Sequence, residues 1–374
     1  MKTSWLRHFF FTFTASALNY AFFVILAKLL GEEEFAKFAP EWANLNFFMM
    51  LGTFAQYMLA LRPLPHKRMY TFFWGIHSLA LVIFALYFLF KLKFILLLSL
   101  LVINLIHSLL CGYLLGIGRI ERLGFLNLIS SALKIVFLFL IPIPSLGTES
   151  VLLVLFVSIF ATHFVFSFMQ NKFIDGQFET PQISTFGAAF LLAFATHFFP
   201  VQDIIWAEFF GNKIDTALIS TLSIVGRTIF FLQLIFAQWL LSGQALGQNI
   251  NKQFPFKKSL MLLIPVSLVF SYSSMFFLKH FLNWQNLPSF NLYLLTCLNA
   301  GFLAIHFQKI QAFILEKKIK MAFLMVSIFV LTWSLVGIGH LGVENYLICM
   351  VIAQLLILLI FHKNRSASSY YNVL

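Results

Sequence analysis

Residues 94–116 read FILLLSLLVINLIHSLLCGYLLG. No Asp, Glu, Lys or Arg interrupts them, and a run of about 20 mostly apolar residues is enough to cross a hydrocarbon core. Asn104, His107, Ser108 and Cys111 fall on one face at helical spacing, so the segment reads as a membrane-crossing helix with one polar stripe. The rest of the chain repeats the pattern. Further apolar segments span 8–30, 42–61, 70–90, 125–142, 150–169, 185–209, 216–242, 258–278, 289–313, 321–338 and 344–362. With 94–116 as the fourth, they give about twelve spans, numbered here 1–12. Only 10% of the 374 residues are charged, against roughly 25% in soluble domains, and 61% are hydrophobic, so a soluble multidomain protein is excluded.

The charges between the segments orient them. Sixteen Lys and Arg fall on one side: Lys2, Arg7, Arg62, Lys67, Arg68, Arg119, Arg122, Lys172, Lys252, Lys257, Lys258, Lys317, Lys318, Lys320, Lys363 and Arg365. Six fall on the other: Lys28, Lys37, Lys91, Lys93, Lys213 and Lys279. Basic residues concentrate on the cytoplasmic side, so both termini are placed in the cytoplasm and the number of spans is even. The net charge of +12 sits in these short breaks, so topology accounts for it and nucleic-acid binding does not follow. The 50 Phe read as lipid-facing bulk. Cys111, Cys297 and Cys349 lie inside apolar runs without metal spacing or a disulfide framework. Lys2, Arg7 and Ala15-Ser16-Ala17 look like a secretory leader, but the apolar run continues to Leu30 and reads as an uncleaved first span.

The break 171–184, with Lys172, Asp175, Glu179 and Pro181, divides the chain. The expected organisation is a first six-helix bundle over 1–170, a cytoplasmic linker over 171–184, a second bundle over 185–362 and a disordered tail over 363–374. An even count in each half permits two parallel repeats. Ile25-Leu26-Ala27-Lys28-Leu29-Leu30-Gly31 can be laid over Ile205-Trp206-Ala207-Glu208-Phe209-Phe210-Gly211. The shared Gly is equally a helix C-cap.

Leu26-Ala27-Lys28-Leu29-Leu30-Gly31-Glu32-Glu33-Glu34-Phe35-Ala36 resembles the opening hairpin of bacterial polysaccharide flippases, of the O-antigen and capsule type, in the multidrug/oligosaccharidyl-lipid/polysaccharide exporter superfamily. Asp203-Ile204-Ile205-Trp206-Ala207-Glu208-Phe209-Phe210-Gly211, followed by Ala217-Leu218-Ile219-Ser220 and Gly226-Arg227, is similar to that family's span 7–8 hairpin. Gly116-Ile117-Gly118-Arg119 is a looser match at the start of span 5. The layout covers the whole chain and the phrases about a fifth of it. The chain is short for the family, and the count of twelve disfavours a fourteen-span lipid II flippase. The resemblance implies an all-α polytopic membrane protein of two six-helix bundles, V-shaped around a central cavity. It implies alternating access for an isoprenoid-pyrophosphate-linked oligosaccharide, moved to the outer leaflet for surface polysaccharide or lipopolysaccharide synthesis. The expected setting is a bacterial cytoplasmic (inner) membrane, with the lipid-linked oligosaccharide and membrane lipids as partners and a glycan polymerase as a further one.

Charges left inside spans carry the functional question, because each costs at least about 2.5–3.5 kcal/mol at the bilayer centre. Lys134 in span 5 shares a stripe with Asn127, Ser130 and Ser131. Arg227 in span 8 shares a face with Ser220 and Ser223, and Lys309 in span 10 lies near His306 and Asn299. Span 1 carries Thr12, Ser16 and Asn19. Arg227, Lys134, Lys309 and Arg119 are the candidate cations for a pyrophosphate, which suits an Arg fork and a Lys point charge. The neutral stripes read equally as interhelical contacts, and Lys309 as a residue reaching the cytoplasmic interface. Asp203, with Pro200 and Thr196 before it, is the buried acid of span 7 and a coupling or ion-pair candidate together with His197; an Asp203–Arg227 pair is within reach across the hairpin. No cofactor or metal site is expected, and Na+ or H+ coupling stays open.

Two other classes remain. A cation-coupled exporter of small molecules in the same superfamily would need cavity acids, and only Asp203 is well buried. A membrane glycan polymerase or transferase would need an acid-bearing outer loop, which the break Lys279–Ser289 lacks. No phosphate-binding Gly loop, clustered Cys/His set or nucleophile elbow is present, so a non-enzyme transporter is the reading taken forward.

Overall fold

The computed structural model describes residues 2–61, 66–90, 92–141, 148–169, 183–212, 214–223, 226, 229–230, 256–281, 287–339 and 341–367. Regular structure among them is helical, as the apolar runs require: within lipid every backbone N–H and C=O must be satisfied inside its own segment. Each of the twelve segments contains helix. Among the described residues six helices are long and apolar enough to cross a membrane, and a bent pair makes a seventh. Span 1 and the start of span 2 run as Lys2–Phe48, interrupted at Gly31, where φ of 78° lies in the left-handed region that glycine tolerates. Gly118, at φ 72°, turns the chain between span 4 (Lys93–Gly116) and span 5 (Ile120–Leu140). Gly211 has no such φ and simply caps Gln202–Phe210, its N–H bonded to the Ala207 carbonyl. The last helix, Val343–Ala367, continues past His362 into residues expected to be disordered, since Lys363 and Arg365 are good helix formers even where hydropathy ends; 368–374 lie outside the described residues.

The described residues fall into two compact units that part between His197 and Phe198. Most of the expected linker lies outside the described residues. The first half of span 7, Ile183–Phe198, therefore counts almost wholly with the first unit.

Within the first unit, span 4 is central and packs against spans 2, 3, 5 and 6, while span 1 packs along span 5. Within the second, span 10 (Phe290–Leu315) is central and packs against spans 9, 11 and 12. Pairings 3–4, 4–5, 4–6, 5–6 and 1–5 recur as 9–10, 10–11, 10–12, 11–12 and 7–11. The two units thus repeat one packing scheme, a far wider correspondence than the seven-residue phrase at Gly31 and Gly211.

Spans 2 and 4 touch backbone to side-chain face. A Cβ on Gly112 would stand 2.3 Å from the Gln56 carbonyl oxygen, and one on Gly52 would stand 2.9 Å from Ser108 Oγ. Small residues let helix backbones approach this closely in membranes. The obstacle at Gly112 is backbone, so no rotamer relieves it. Gly112→Val is expected to destabilise the first unit by about 1–3 kcal/mol through overpacking. The thermal midpoint of the detergent-solubilised variant should fall, and an unchanged midpoint would contradict the packing described.

Candidate functional site

Each unit holds a polar centre. In the second, the span 7 helix, broken after Phe198, resumes at Gln202. Pro200 sits in the break, where its missing N–H and fixed φ interrupt the helical ladder. The break makes a new helix N-terminus inside the span. Asp203 lies in its first turn, where a negative charge faces the positive end of the macrodipole.

Three side chains donate to the Asp203 carboxylate. Asn299 Nδ2 from span 10 lies 2.9 Å from Oδ1 and 3.0 Å from Oδ2. The Tyr346 hydroxyl from span 12 lies 2.9 Å from Oδ1 and also 2.9 Å from Gln202 Oε1. Gln202 Nε2 is the third donor. A second layer holds these in place. Gln354 donates to Asn299 Oδ1, the Gln354 carbonyl pairs with His306 Nε2 at 3.1 Å, and Trp333 Nε1 donates to the Gln202 carbonyl at 3.3 Å. The Trp206 ring stacks on Tyr346 with centroids 3.9 Å apart. Gln202, Asn299, His306, Tyr346 and Gln354 are all fully buried. Such a network fixes its spans in one register, because a buried polar group left unpaired costs about 1–3 kcal/mol. Tyr346→Phe removes one donor while preserving the stack on Trp206. It is expected to destabilise the second unit by about that amount, read as a lower thermal unfolding midpoint, with no change if the hydroxyl were idle.

In the first unit, Lys134 Nζ donates to Asn19 Oδ1 at 3.0 Å. The polar stripes of spans 5 and 1, identified separately in the sequence, thus face each other. Ser131 Oγ turns back to the Asn127 carbonyl at 2.8 Å, so that part of the stripe is spent on its own helix. Lys134 and Asn19 are both half-buried, and among the described residues no carboxylate lies within ion-pair distance of Lys134.

The remaining candidates are placed as follows. Lys309 is 4% exposed, with Nζ 4.9 Å from the centroid of the Phe313 ring, so it is buried in the second unit. Arg119 is exposed at the N-terminus of the span 5 helix. Arg227, and with it the proposed Asp203–Arg227 pair, lies outside the described residues. His197, within the first unit, meets span 2, with Thr53 Oγ1 2.6 Å from Nε2 and Asn46 Nδ2 donating to its carbonyl at 3.0 Å. Thr196 beside it meets the Tyr57 hydroxyl at 3.1 Å. Tyr346 and Gln354 escaped the sequence reading because isolated polar residues in an apolar span carry no spacing signal; Asn299 was visible only as a neighbour of Lys309.

No family model and no curated protein matches the sequence. Solved structures do. The chain is similar to a MATE structure in complex with MaL6, at 12% identity and a TM-score of 0.68, with 100% of this chain and 97% of that one covered. It is similar to a MATE structure in complex with MaD3S, at 14% identity and 0.58, covering 98% and 96%. A mutant of the Vibrio cholerae MATE transporter VcmN gives 12% and 0.53, covering 98% and 96%. Fold and polar centres together define an all-α, multi-pass membrane protein with the MATE fold.

Proposed function

We propose that this protein is a transporter, and that its cargo is an anionic lipid-linked oligosaccharide joined to an isoprenoid through a pyrophosphate. In this reading the cargo crosses the cytoplasmic membrane by alternating access, and the termini lie in the cytoplasm as the basic residues suggest. The fold shared with MATE structures supports transport. The observation that carries the cargo class is Lys134: a half-buried ammonium inside a span, held by a neutral amide and facing no acid among the described residues. An uncompensated cation in the bilayer is retained where an anion visits it. Arg227 and Lys309 add positive charge within the span segments of the sequence, where the acids are Asp203 and the exposed Glu208 and Glu344.

The experiment is deletion of the gene in its native host. Surface glycan should disappear, lipid-linked glycan should accumulate on the cytoplasmic leaflet, and both should revert on complementation. A second reading, cation-coupled export of small organic molecules, is favoured by the Asp203 centre, a carboxylate set among buried amides and hydroxyls. Intact surface glycan with heightened sensitivity to organic cations in the deletion strain would select it.

A further inference from the structure

Three histidines in the first unit lie in a row. His77 Nε2 is 2.9 Å from His163 Nδ1, and His163 Nε2 is 3.0 Å from His107 Nδ1. They come from spans 3, 6 and 4. The His107 and His163 rings stack at 20°, and His77 meets His163 at 71°. His77 and His163 are 5% and 1% exposed, while His107 is half-buried. The Phe160 ring, one turn before His163, packs beside His77. A metal would draw the three nitrogens toward a common centre. Here they are paired in sequence, so each contact needs a hydrogen, and because the neutral central ring has one donor and one acceptor both contacts must run in the same direction.

The geometry points to a proton site: the chain His107–His163–His77 takes up one proton at its half-buried end and holds it on the central ring. A neutral imidazole has one donor and one acceptor, so the neutral chain has a direction. With His107 Nδ1–H donating to His163 Nε2, and His163 Nδ1–H donating to His77 Nε2, the free acceptor is His107 Nε2. A proton arriving there forms one N–H bond. The Nδ1 proton of His107 then moves to His163 Nε2. His163 now carries both hydrogens and donates to a neutral imidazole on each side. Charge-assisted hydrogen bonds are roughly twice as strong as neutral ones, and only the central ring makes two of them. One proton enters and nothing else is consumed.

Lys134, from span 5, is the charged group that bears on His107. The proton on the chain and the Lys134 ammonium are like charges, so an anion lying on Lys134 relieves their repulsion. Anion and proton binding are then linked, each favouring the other by the same factor. This linkage rests on the anionic-cargo reading; the proton site itself rests on the histidine row alone.

The test uses the full-length protein in lipid nanodiscs with 15N-labelled histidine, titrated from about pH 8 to pH 5, the range in which an imidazole serves as a switch. The imidazole 15N signals of the three rings, assigned with His77→Asn, His107→Asn and His163→Gln variants, should shift together as one proton binds. His163→Gln should abolish the shared shift while His77→Asn leaves a shorter one. Three rings that stay neutral throughout, or that titrate singly and independently, overturn the proposal. In weak buffer, adding farnesyl pyrophosphate should cause proton uptake by the wild type that His163→Gln lacks. Equal uptake by both would also overturn it. Shared titration without any farnesyl pyrophosphate binding would keep the proton site and count against the anionic cargo.

Discussion

Lys134→Gln is expected to abolish surface glycan in a complemented deletion strain while the protein remains inserted and folded. Gln is shorter than Lys by a single bond but keeps a polar, neutral amide facing Asn19, so the polar character of the contact between spans 5 and 1 is kept. What is lost is the charge. A charge-assisted hydrogen bond contributes about 1.5–3 kcal/mol, which is a loss of roughly tenfold to more than a hundredfold in affinity for a pyrophosphate. Lys134→Arg should retain most of the activity, since an Arg fork grips phosphate at least as well. Quantitative surface glycan on both variants, beside the amount of membrane-inserted protein, decides it. Full export by Lys134→Gln would remove Lys134 from the cargo site.

Asp203→Leu is expected to be the most destabilising single change in the second unit. It strips the acceptor from Asn299, Tyr346 and Gln202 at once and leaves buried donors without partners. At about 1–3 kcal/mol for each unsatisfied group, the sum is enough to prevent accumulation of folded protein. The exchange Asp203→Asn with Asn299→Asp moves the carboxylate to span 10 and returns an amide to span 7. It should recover most of the lost thermal stability if the centre serves to lock spans 7, 10 and 12 together. A swap that recovers stability but not transport would assign the carboxylate a position-dependent role in coupling.

Much of this architecture was legible in the sequence because spans are local. An uninterrupted apolar run such as 94–116 announces itself without reference to the rest of the chain. The polar stripes of spans 1 and 5 were equally visible, yet that Asn19 and Lys134 would meet was not, since nothing in either helix encodes which neighbour it packs on. The histidine row was invisible for the same reason: His77, His107 and His163 are isolated polar positions in three different apolar runs. Span 7 was legible only in part: Pro200 signalled an interruption within 185–209, but nothing local encodes that His197 meets Thr53 or that Asp203 meets Asn299.

The break in span 7 has a practical corollary for anyone dissecting the molecule. Cutting the chain at 171–184, the obvious polar seam, would remove Ile183–Phe198 from the unit in which it packs. Asn46, Thr53 and Tyr57 would then lose the polar groups they meet on that helix and be left to find others in an apolar surround. A first half intended to stand on its own should carry the chain through His197, with the seam placed at the kink rather than in the loop.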